Sequence, residues 1–442
     1  MTTDRQLAEA IAGRLRAAGH QALLAGGCVR DVLLDRMPKD YDVATSATPD
    51  AVAALFPKAL RIGAAFGVVV VVEGAARVEV ATFRREAGYT DGRRPDRVIF
   101  TDAREDALRR DFTINGMFLD PAGGGEGQIL DYVGGQADLE ARVIRAIGDP
   151  RARFAEDHLR MLRAVRFVAE LDFLLEPATA DAVRDLAPRI ASVSGERVRE
   201  ELARLLTAPM PGRRRGLDAA ADLGLLAVLL PEVEALRGVA QGPTVHPEGD
   251  VFTHTLLAVE KLREPTFELA LAALLHDVGK REAFKVRDGR MTFYGHERLG
   301  EAAARAVCGR LRTSALVARR VAFLVRQHMK LMHAGQMREA RLKRLMADEA
   351  FEELAELWRA DCLASGGTAE PYDDLMRRYR ALGREEVRPA PLLTGDDLIA
   401  DGLAPGPAFR DILDAVYDAQ LEGRATSRQE ALALARRIAS RP

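Results

Sequence analysis

The chain has 442 residues, more than one ordinary hydrophobic core accommodates, which indicates at least two domains. Hydrophobic residues make up 48% of the sequence, which excludes an intrinsically disordered chain, and the formal charge of −2 excludes a uniformly basic nucleic-acid binder. Any surface that binds nucleic acid is therefore a local patch.

Cysteine usage and hydropathy indicate the compartment. The three cysteines, Cys28, Cys308 and Cys362, lie far apart and form no CxxC pair, which is typical of buried thiols in a reducing environment. The first twenty residues have an amphipathic helix pattern with charges throughout, unlike the apolar core of a secretory signal. The longest apolar run, Val68 to Val72, is far shorter than a membrane span. We therefore expect a soluble cytoplasmic protein without membrane contacts.

Strand and helix patterns alternate up to about residue 150. QALLAGG and DYDVAT are predicted strands, VRDVLLD and TPDAVAALF are short helices, and FGVVVVVEGAARVEVATFR is a hairpin around a Glu-Gly turn. The polar segment at residues 85–97 has no apolar period and is predicted to be a mobile loop. A helix around EDALRRDF, strands near NGMFLD and QILDY, and a glycine-rich turn complete this region.

After Asp149 the pattern changes, and nearly every window up to about Ser440 has a helical period. We therefore predict an α+β protein in which a small head, a mixed sheet with helices, precedes an all-α body. The predicted domains are a head at 1–148, a helical neck at 149–238, a histidine-containing helical domain at 239–380 and a helical tail at 381–442.

Two aspartates in the stretch GGCVRDVLLDRMPKDYDVAT indicate a metal site. Asp40 and Asp42 are two residues apart, so on a strand their carboxylates share a face and repel each other unless a cation lies between them. Glu79, on a later strand of the hairpin, is the expected third acidic residue. Oxygen ligands of this kind suit Mg²⁺, and two such ions suit in-line attack on a phosphate.

The residues ahead of these aspartates indicate phosphate binding. The turn at Gly26 and Gly27 lets the backbone approach phosphate oxygens without interference from a side chain, and Arg30 supplies a positive charge. A lone GG or DxD recurs often by chance. The fixed order of GG, VRD, LL and DxD is far more specific.

This ordered signature resembles that of the bacterial-type (class II) tRNA nucleotidyltransferase and poly(A) polymerase family, a branch of the polymerase-β-like nucleotidyltransferases. Four further blocks follow in the family's order: RRDFTINGM (Arg109 to Met117), DYVGGQADL (Asp131 to Leu139), EDHLRMLRAVRF (Glu156 to Phe167) and ERVREEL (Glu196 to Leu202). The resemblance covers residues 20–235 closely and the rest more loosely. It implies a polymerase-β-like head and a template-independent polymerase.

The block EDHLRMLRAVR suggests how a nucleotide is selected. On a helix, Asp157 and Arg160 share a face. Asp157 accepts from the exocyclic amine of C or A, and Arg160 donates to cytosine N3 and O2 or to adenine N1, whereas U and G present a carbonyl and are rejected. Arg163 and Arg166 continue the row, and with Arg110 they are expected to hold phosphates or the base.

The resemblance also implies that the protein selects nucleotides in this way during the reaction. The protein itself acts as the template, and CTP and then ATP are added to a tRNA 3′ end by metal-assisted attack of the 3′-hydroxyl on the α-phosphate. One pocket that serves two bases has to change shape between them. The loop at residues 85–97 is the predicted moving part.

Histidine and acidic side chains recur in the third predicted domain, at His254, His276, Asp277, His296, His328 and Asp361. Such a set suits Mn²⁺, Fe²⁺, Co²⁺ or Ni²⁺, and the bound metal lowers the pKa of a water for phosphoester hydrolysis. The motif LLHDVGK resembles the core of the HD phosphohydrolase superfamily, which implies that His254, the His276-Asp277 pair and Asp361 bind the metal. The alternative is a helical scaffold that binds none. Pairing of two chains through this region is also left open.

Three functions stay open. The first is CCA addition, with tRNA, CTP, ATP and Mg²⁺. The second is a poly(A) polymerase, or a partial enzyme that adds only CC or only A; the short tail of this chain disfavours poly(A) synthesis, since that branch tends to carry a long basic one. The third is an HD phosphohydrolase whose head only binds RNA, which the intact Asp40, Asp42 and Arg110 disfavour. The tRNA is expected along the helical body, with basic segments at 213–216 and around Lys343 as candidate contacts.

Overall fold

The computed structural model describes residues 3–61, 67–87, 97–122, 127–242, 249–287 and 290–440. The chain forms two compact units, Met1–Pro231 and Glu232–Pro442. The predicted order of a mixed-sheet head and a helical body is confirmed, and the finer division into four domains stays a prediction. None of the described helices combines the length and apolar character that crossing a bilayer requires.

The first unit contains strands β1 (Ala22–Ala25), β2 (Asp42–Thr45), β3 (Ala59–Leu60), β4 (Val68–Glu73), β5 (Ala76–Thr82), β6 (Arg84–Ala87), β7 (Arg97–Phe100), β8 (Phe118–Asp120), β9 (Gln128–Leu130), β10 (Val143–Ile144) and β11 (Leu174–Leu175). Seven of them form one mixed sheet in the order β3-β4-β5-β2-β1-β8-β9. The predicted hairpin is confirmed as the antiparallel pair β4–β5. The central strand β2 runs antiparallel to β1 and parallel to β5, which sets the register of the acidic residues.

The predicted loop at 85–97 is only partly a loop. Both of its ends are strands, because β6 pairs antiparallel with β7. Residues 88–96 lie outside the described residues, and so do residues 123–126 of the predicted glycine-rich turn. The predicted movement of this segment therefore stays a prediction.

The helices of the first unit are α1 (Asp4–Ala17), α2 (Gly27–Leu33), α3 (Pro49–Leu55), α4 (Ala103–Leu108), α5 (Gly135–Glu140), α6 (Pro150–Glu156), α7 (Leu159–Leu171), α8 (Pro177–Leu186), α9 (Gly195–Leu206), α10 (Gly212–Asp222) and α11 (Leu225–Leu229). Short 3₁₀ helices occupy Thr113–Asn115 and Ala187–Ser192. Local sequence signals account for several starts. Thr48, for example, caps α3 by accepting from the backbone N–H of Ala51, and a proline follows at the first helical position.

Helix α10 packs directly against α7, the helix predicted to select the nucleotide. Gly216 allows the contact, because a Cβ there would lie 2.6 Å from the Cβ of Ala169. Close approach buries the neighbouring Arg213, which is only 2% exposed. The prediction of a tRNA contact at Arg213 is therefore wrong for that residue, since a buried guanidinium cannot reach a phosphate in solvent.

The remaining helices are α12 (Pro231–Glu234), α13 (Val251–Lys261), α14 (Phe267–Leu275), α15 (Lys280–Ala283), α16 (His296–Arg310), α17 (Ala315–Gln327), α18 (Glu339–Met346), α19 (Phe351–Ala364), α20 (Glu370–Ala381), α21 (Arg384–Val387), α22 (Gly395–Ala400), α23 (Ala408–Leu421) and α24 (Arg428–Ala439), with a 3₁₀ helix at His328–Gln336. Helix α14 is the centre of this unit, since every residue from Leu269 to Leu275 is buried. A short hairpin of β12 (Lys285–Arg287) and β13 (Arg290–Thr292) interrupts the predicted all-helical pattern. Lys343 donates to the carbonyl oxygen of Leu421 (3.0 Å) and thereby ties α18 to α23.

Candidate active site and candidate metal centre

A cavity of about 900 Å³ in the first unit is lined by most of the site residues predicted for that unit. Helices α2, α7 and α9 and the segment before β2 contribute its walls. The predicted residues that line it are Gly27, Arg30, Asp40, Asp42, Arg110, Asp157, Arg160, Arg163 and Arg166. Glu79 is not among the lining residues.

Three acidic residues lie at or near the start of β2, and two of them, Asp40 and Asp42, line the cavity. Asp42 begins β2 and lies opposite Glu79 of β5 in the parallel register, as the hairpin predicted. Burial, followed by the negative charges of Asp40 and Glu79, raises the pKa of Asp42 to about 7. The negative charge concentrated at Asp42 by Asp40 and Glu79 is the electrostatic condition for binding a cation.

The geometry differs from the prediction in two respects. Asp40 precedes β2 instead of lying on it, so the two aspartates do not project from one strand. They nevertheless line the same cavity. Among the described residues, the ligand oxygens of Asp40, Asp42 and Glu79 do not all lie within 4.8 Å of one another. The donor set fits a divalent cation held by Asp40 and Asp42, with Glu79 contributing charge from the neighbouring strand.

The predicted phosphate-binding turn precedes α2. Gly26 has a φ of 76°, a conformation that favours glycine, and a Cβ there would lie 3.1 Å from Nη1 of Arg110. Arg30 follows one turn later and is only 8% exposed. It donates to Oδ1 of Asn115 (2.8 Å) and, through Nε and Nη2, to Oδ1 of Asp31 (2.8 and 2.7 Å). These contacts fix the orientation of the guanidinium.

Arg110 is held in a similar way. It donates through Nε and Nη2 to Oδ2 of Asp106 (3.2 and 3.0 Å), and its guanidinium lies 5.0 Å from the centre of the Phe118 ring. Burial opposes ionisation of Asp106, but the charges of Arg110 and Arg109 outweigh it and lower the pKa of that carboxyl. Arg110 is thus a fixed positive charge next to Gly26.

The nucleotide-selecting block does not form one continuous helix, so the prediction of a single helix was wrong here. Asp157 has extended backbone angles (φ −145°, ψ 105°) and separates α6 from α7. Its Oδ1 accepts from the backbone N–H of Leu159 (3.1 Å). Its two oxygens also pair with Arg197 of α9 at 3.2 and 2.7 Å. Arg160 lies on α7, where it pairs with Glu156 (2.5 Å). Asp157 and Arg160 therefore reach the same cavity from different segments.

Arg163 and Arg166 belong to an ion-pair network in the wall of the cavity. Arg163 pairs with Asp111 at 2.6 Å and with Glu201 at 3.4 Å. Arg166 is 1% exposed and pairs with Glu201 at 2.6 Å and with Glu170 at 3.1 Å. Burial opposes ionisation of Asp111, but Arg163 outweighs it and holds the pKa of that carboxyl well below its usual range. Arg163 and Arg166 thus tie α7 to α9 through Glu201, and a contact of either with the nucleotide stays a prediction.

Sequence reasoning assigned no individual roles to Arg197 and Glu201, although both belong to the block ERVREEL. They are four residues apart on α9, and each pairs with a residue from the block EDHLRMLRAVRF. Their i, i+4 spacing was the available signal, because it places both on one face of a helix. Arg109 and Asn115, from the block RRDFTINGM, also line the cavity.

In the second unit, all six predicted histidine and aspartate side chains meet. The carboxylate of Asp361 lies 2.9 Å from Nε2 of His254. Asp277 lies 3.2 Å from Nε2 of His276 and 3.4 Å from Nε2 of His296. Two three-ligand groups result within the described residues, and they share Asp277: His254, His276 and Asp277, and Asp277, His296 and His328.

The hydrogen bonds of the imidazoles orient their other ring nitrogens for metal binding. Nδ1 of His276 donates to the carbonyl oxygen of Ala273 (2.7 Å), and Nδ1 of His328 donates to that of Val325 (2.7 Å). Nδ1 of His296 likewise donates to Phe293 (2.9 Å). In the neutral form each Nε2 is therefore a lone-pair donor directed at the carboxylates.

Electrostatics at this centre favour a cation as well. Nε2 of His296 and Nε2 of His328 are 3.2 Å apart, and two lone pairs at that distance repel unless a proton or a metal lies between them. Burial lowers the pKa of His276, but Asp277 outweighs it and raises that pKa to about 9. The four predicted ligands are thus brought together, and His296 and His328 extend the set.

Comparison with known proteins agrees with this geometry. Residues 22–145 match the family model of the poly A polymerase head domain, residues 172–236 match that of the probable RNA and SrmB-binding site of polymerase A, and residues 251–363 match the HD domain. The HD match contains His254, His276, Asp277 and Asp361, all within the second unit.

Individual relatives extend the match over the whole chain. A CCA-adding enzyme of Geobacillus sp. (strain WCH70) is 44% identical over 230 residues, which are 52% of this chain and 56% of that relative, so this alignment spans about half of each. A CCA-adding enzyme of Geobacillus thermodenitrificans (strain NG80-2) is 34% identical over 435 residues, 96% of this chain and 95% of the relative.

A crystal structure of the Bacillus stearothermophilus CCA-adding enzyme in complex with CTP is also similar. It has a TM-score of 0.76 and 29% sequence identity, and the alignment covers 100% of this chain and 99% of that one. Sequence and fold agree along the full length, and this chain therefore belongs to the family of CCA-adding enzymes.

Proposed function

We propose that this protein adds C, C and A to the 3′ end of tRNA, using CTP and ATP. The observation that carries the proposal is that one cavity holds the Asp40–Asp42 carboxylates and, on another wall, the pair of Asp157 and Arg160. A phosphoryl-transfer site and a base-reading site within reach of one nucleotide suit a polymerase that needs no template. The similar enzyme from B. stearothermophilus binds CTP, which supports the choice of substrate.

The triphosphate suits the positively charged part of this cavity. Ten basic side chains line it against six acidic ones, so the cavity attracts an anion that already carries a divalent cation. Arg30 and Arg110 are held rigidly by Asn115, Asp31 and Asp106, and rigid donors lose little entropy when they bind phosphate.

Asp40 and Asp42 would hold the Mg²⁺. When bound, Mg²⁺ supplies charge neutralisation for attack of the tRNA 3′-hydroxyl on the α-phosphate. The contribution of the chain itself is to position the two carboxylates, to add the negative charge of Glu79 near Asp42, and to place the positive charge of Arg110 near it. The ion identity and the number of ions belong to the proposal.

Base selection belongs to Asp157 and Arg160. Asp157 would accept from the exocyclic amine that C and A share, while Arg160 would donate to the adjacent ring nitrogen. In the protein alone Asp157 pairs with Arg197 and Arg160 pairs with Glu156, and both side chains line the cavity.

A single incubation tests the proposal. A tRNA lacking its 3′ end is supplied with Mg²⁺ and with each NTP singly and together, and the products are sized on a gel. Ordered addition of C, C and A that then stops is the expected result. A growing A tract would instead identify a poly(A) polymerase, and no incorporation would leave only an RNA-binding head.

A second function rests on the two ligand groups that share Asp277. We propose that the second unit binds a divalent transition metal and hydrolyses phosphate esters. The substitutions Asp42→Ala and His276→Ala separate the two functions. Asp42→Ala should abolish incorporation and spare hydrolysis, and His276→Ala should do the reverse, with a phosphodiesterase assay as the second readout. Pairing of chains through this unit stays a prediction.

A further inference from the structure

A second cavity adjoins the candidate metal centre. This basic pocket, of about 600 Å³, is lined by Arg326, Lys330, His333, Arg338 and Arg341, together with uncharged neighbours and Glu297. The metal-site cavity, of about 910 Å³, is lined by Asp277, His296 and Asp361. Glu297 and Met329 line both. The two cavities are therefore adjacent, with Glu297 and Met329 between them.

Part of the positive charge in the basic pocket is not balanced. Arg326 pairs with Glu297 at 2.8 Å, which also neutralises the one acidic side chain of the pocket, and Arg338 pairs with Glu422 at 2.8 Å. Within the described part of the chain, neither Lys330 nor Arg341 has a carboxylate within 4.0 Å. Lys330 is half-buried, so solvent screens its charge less than that of an exposed lysine. An anion is the ligand that such a pair of cations binds best.

Apolar and aromatic side chains form another part of the lining of the metal-site cavity. Met291, Phe293, Tyr294 and Met332 line it, and Tyr294 and Met332 are 82% and 50% exposed. Exposed aromatic rings and thioethers beside a metal centre provide a stacking surface for a nucleobase. The two adjacent cavities thus offer metal ligands, a stacking surface and, beyond Met329, two cations that have no carboxylate partner among the described residues.

We propose that the metal-site cavity and the basic pocket together bind the end of a single-stranded RNA, with its terminal nucleotide beside Tyr294 and the preceding backbone phosphate on Lys330 and Arg341. Lys330 lies two residues after His328 on the same 3₁₀ helix, which places it next to the metal ligands. The inference rests on the proposed hydrolase function and narrows its substrate class. The substrate is a phosphate ester at an RNA end, and a free mononucleotide lacks the second phosphate.

Binding tests this directly. Fluorescence anisotropy of the full chain with Mn²⁺ compares a labelled RNA trinucleotide ending in a 3′-phosphate with an equally labelled mononucleotide. The double variant Lys330→Gln/Arg341→Gln should weaken trinucleotide binding at least tenfold and leave mononucleotide binding within twofold. The slope of log affinity against log salt should also become shallower by about 0.7, because both cations contact the same phosphate and each neutralised phosphate of a single strand contributes about 0.7.

The matched control is Arg319→Gln/Arg377→Gln, which removes the same charge from two exposed arginines outside these two cavities. It should change neither affinity. An equal loss in the control, an unchanged trinucleotide affinity, or an equal loss for the mononucleotide would overturn the proposal. Equal affinity for the matching DNA trinucleotide would overturn the assignment to RNA.

A different result would contradict the proposed hydrolase function, so the two proposals can be tested separately. If the wild-type chain with Mn²⁺ hydrolyses neither probe but the double variant still loses trinucleotide binding, the hydrolase is wrong and the RNA site stands. Suppose instead that hydrolysis occurs, and that the double variant hydrolyses both probes at the wild-type rate and binds each with the wild-type affinity. The RNA site is then wrong. An unchanged melting curve shows that the double variant is folded.

Discussion

Asp42 illustrates how one residue acquires its chemistry from its neighbours. It begins a central strand, so parallel pairing brings Glu79 beside it, while the preceding turn brings Asp40. Its carboxyl has a pKa raised to about 7 by burial and by those two charges. Without a cation the folded protein therefore retains a proton there that the unfolded chain has released. The folded state loses stability as the pH rises from the unfolded pKa towards 7.

Mg²⁺ binding should therefore depend steeply on pH near neutrality. Mg²⁺ binds the ionised carboxylate, so its apparent affinity should fall about tenfold for each pH unit below 7 and should level off above it. Calorimetric titration at pH 6 and pH 8 measures this. Asp42→Asn, which cannot ionise at this position, serves as the control. Its apparent Mg²⁺ affinity should change little between pH 6 and pH 8. A wild-type affinity equal at both pH values would contradict the assignment.

Asp157 makes a separate prediction about base selection. Asp157→Ala should lower kcat/KM for CTP and for ATP by roughly 5- to 150-fold, the effect of losing about 1–3 kcal/mol of base contact. Asp185→Ala, which removes an exposed carboxylate paired with Arg151, is the control and should have no effect. Single-nucleotide incorporation kinetics measure both. Equal kcat/KM values in Asp157→Ala and in wild type would remove Asp157 from base selection.

At the scale of single elements, sequence patterns succeeded where structure is local. The hairpin β4–β5 and the capped start of α3 follow from alternation, a Glu-Gly turn and a Thr-Pro pair. The break before α7 was not predictable, because the extended backbone of Asp157 accompanies an ion pair with Arg197, forty residues later. Burial of Arg213 was missed for the same reason, since it depends on packing against another helix. The carboxylates were found because a fixed order of residues encodes them.

The contact between α10 and α7 makes a prediction at this scale. Gly216→Ala should destabilise the first unit by about 1–3 kcal/mol, because the added Cβ would lie 2.6 Å from Ala169. Gly13→Ala in α1 is the control, since nothing lies within 4 Å of its added Cβ. Helix propensity alone should make that change stabilising by up to about 1 kcal/mol. Thermal unfolding followed by circular dichroism should give shifts of opposite sign.

For the molecule as a whole, the two candidate sites lie in different compact units. The acidic cavity lies within Met1–Pro231, and both histidine groups lie within Glu232–Pro442. The single tryptophan of the chain, Trp358, is buried on α19, three residues before Asp361. Its fluorescence therefore reports unfolding of the second unit without contribution from the first.

Metal addition should accordingly stabilise the second unit, whose unfolding Trp358 reports. Mn²⁺ at 100 times its Kd should stabilise the second unit by about 2.7 kcal/mol and raise the melting temperature seen by Trp358. Asp277→Asn removes the ligand that both groups share, so in that variant Mn²⁺ should produce no such rise. Each protein is compared with and without the metal, which cancels any intrinsic change in stability. A full rise in Asp277→Asn would show that Mn²⁺ binds elsewhere.

The pairing of Asp157 with Arg197, and of Arg160 with Glu156, has a consequence for fidelity. If Asp157 and Arg160 read the base as proposed, a nucleotide does not meet empty hydrogen-bonding positions; it competes with partners that are already in place. C and A present a complementary edge and compensate for the displaced partners, whereas a mismatched edge leaves a displaced charge without a replacement. Discrimination between bases thus comes from the penalty on the wrong base as much as from attraction of the right one. Because the correct nucleotides also have to displace these partners, their own binding is expected to be weak.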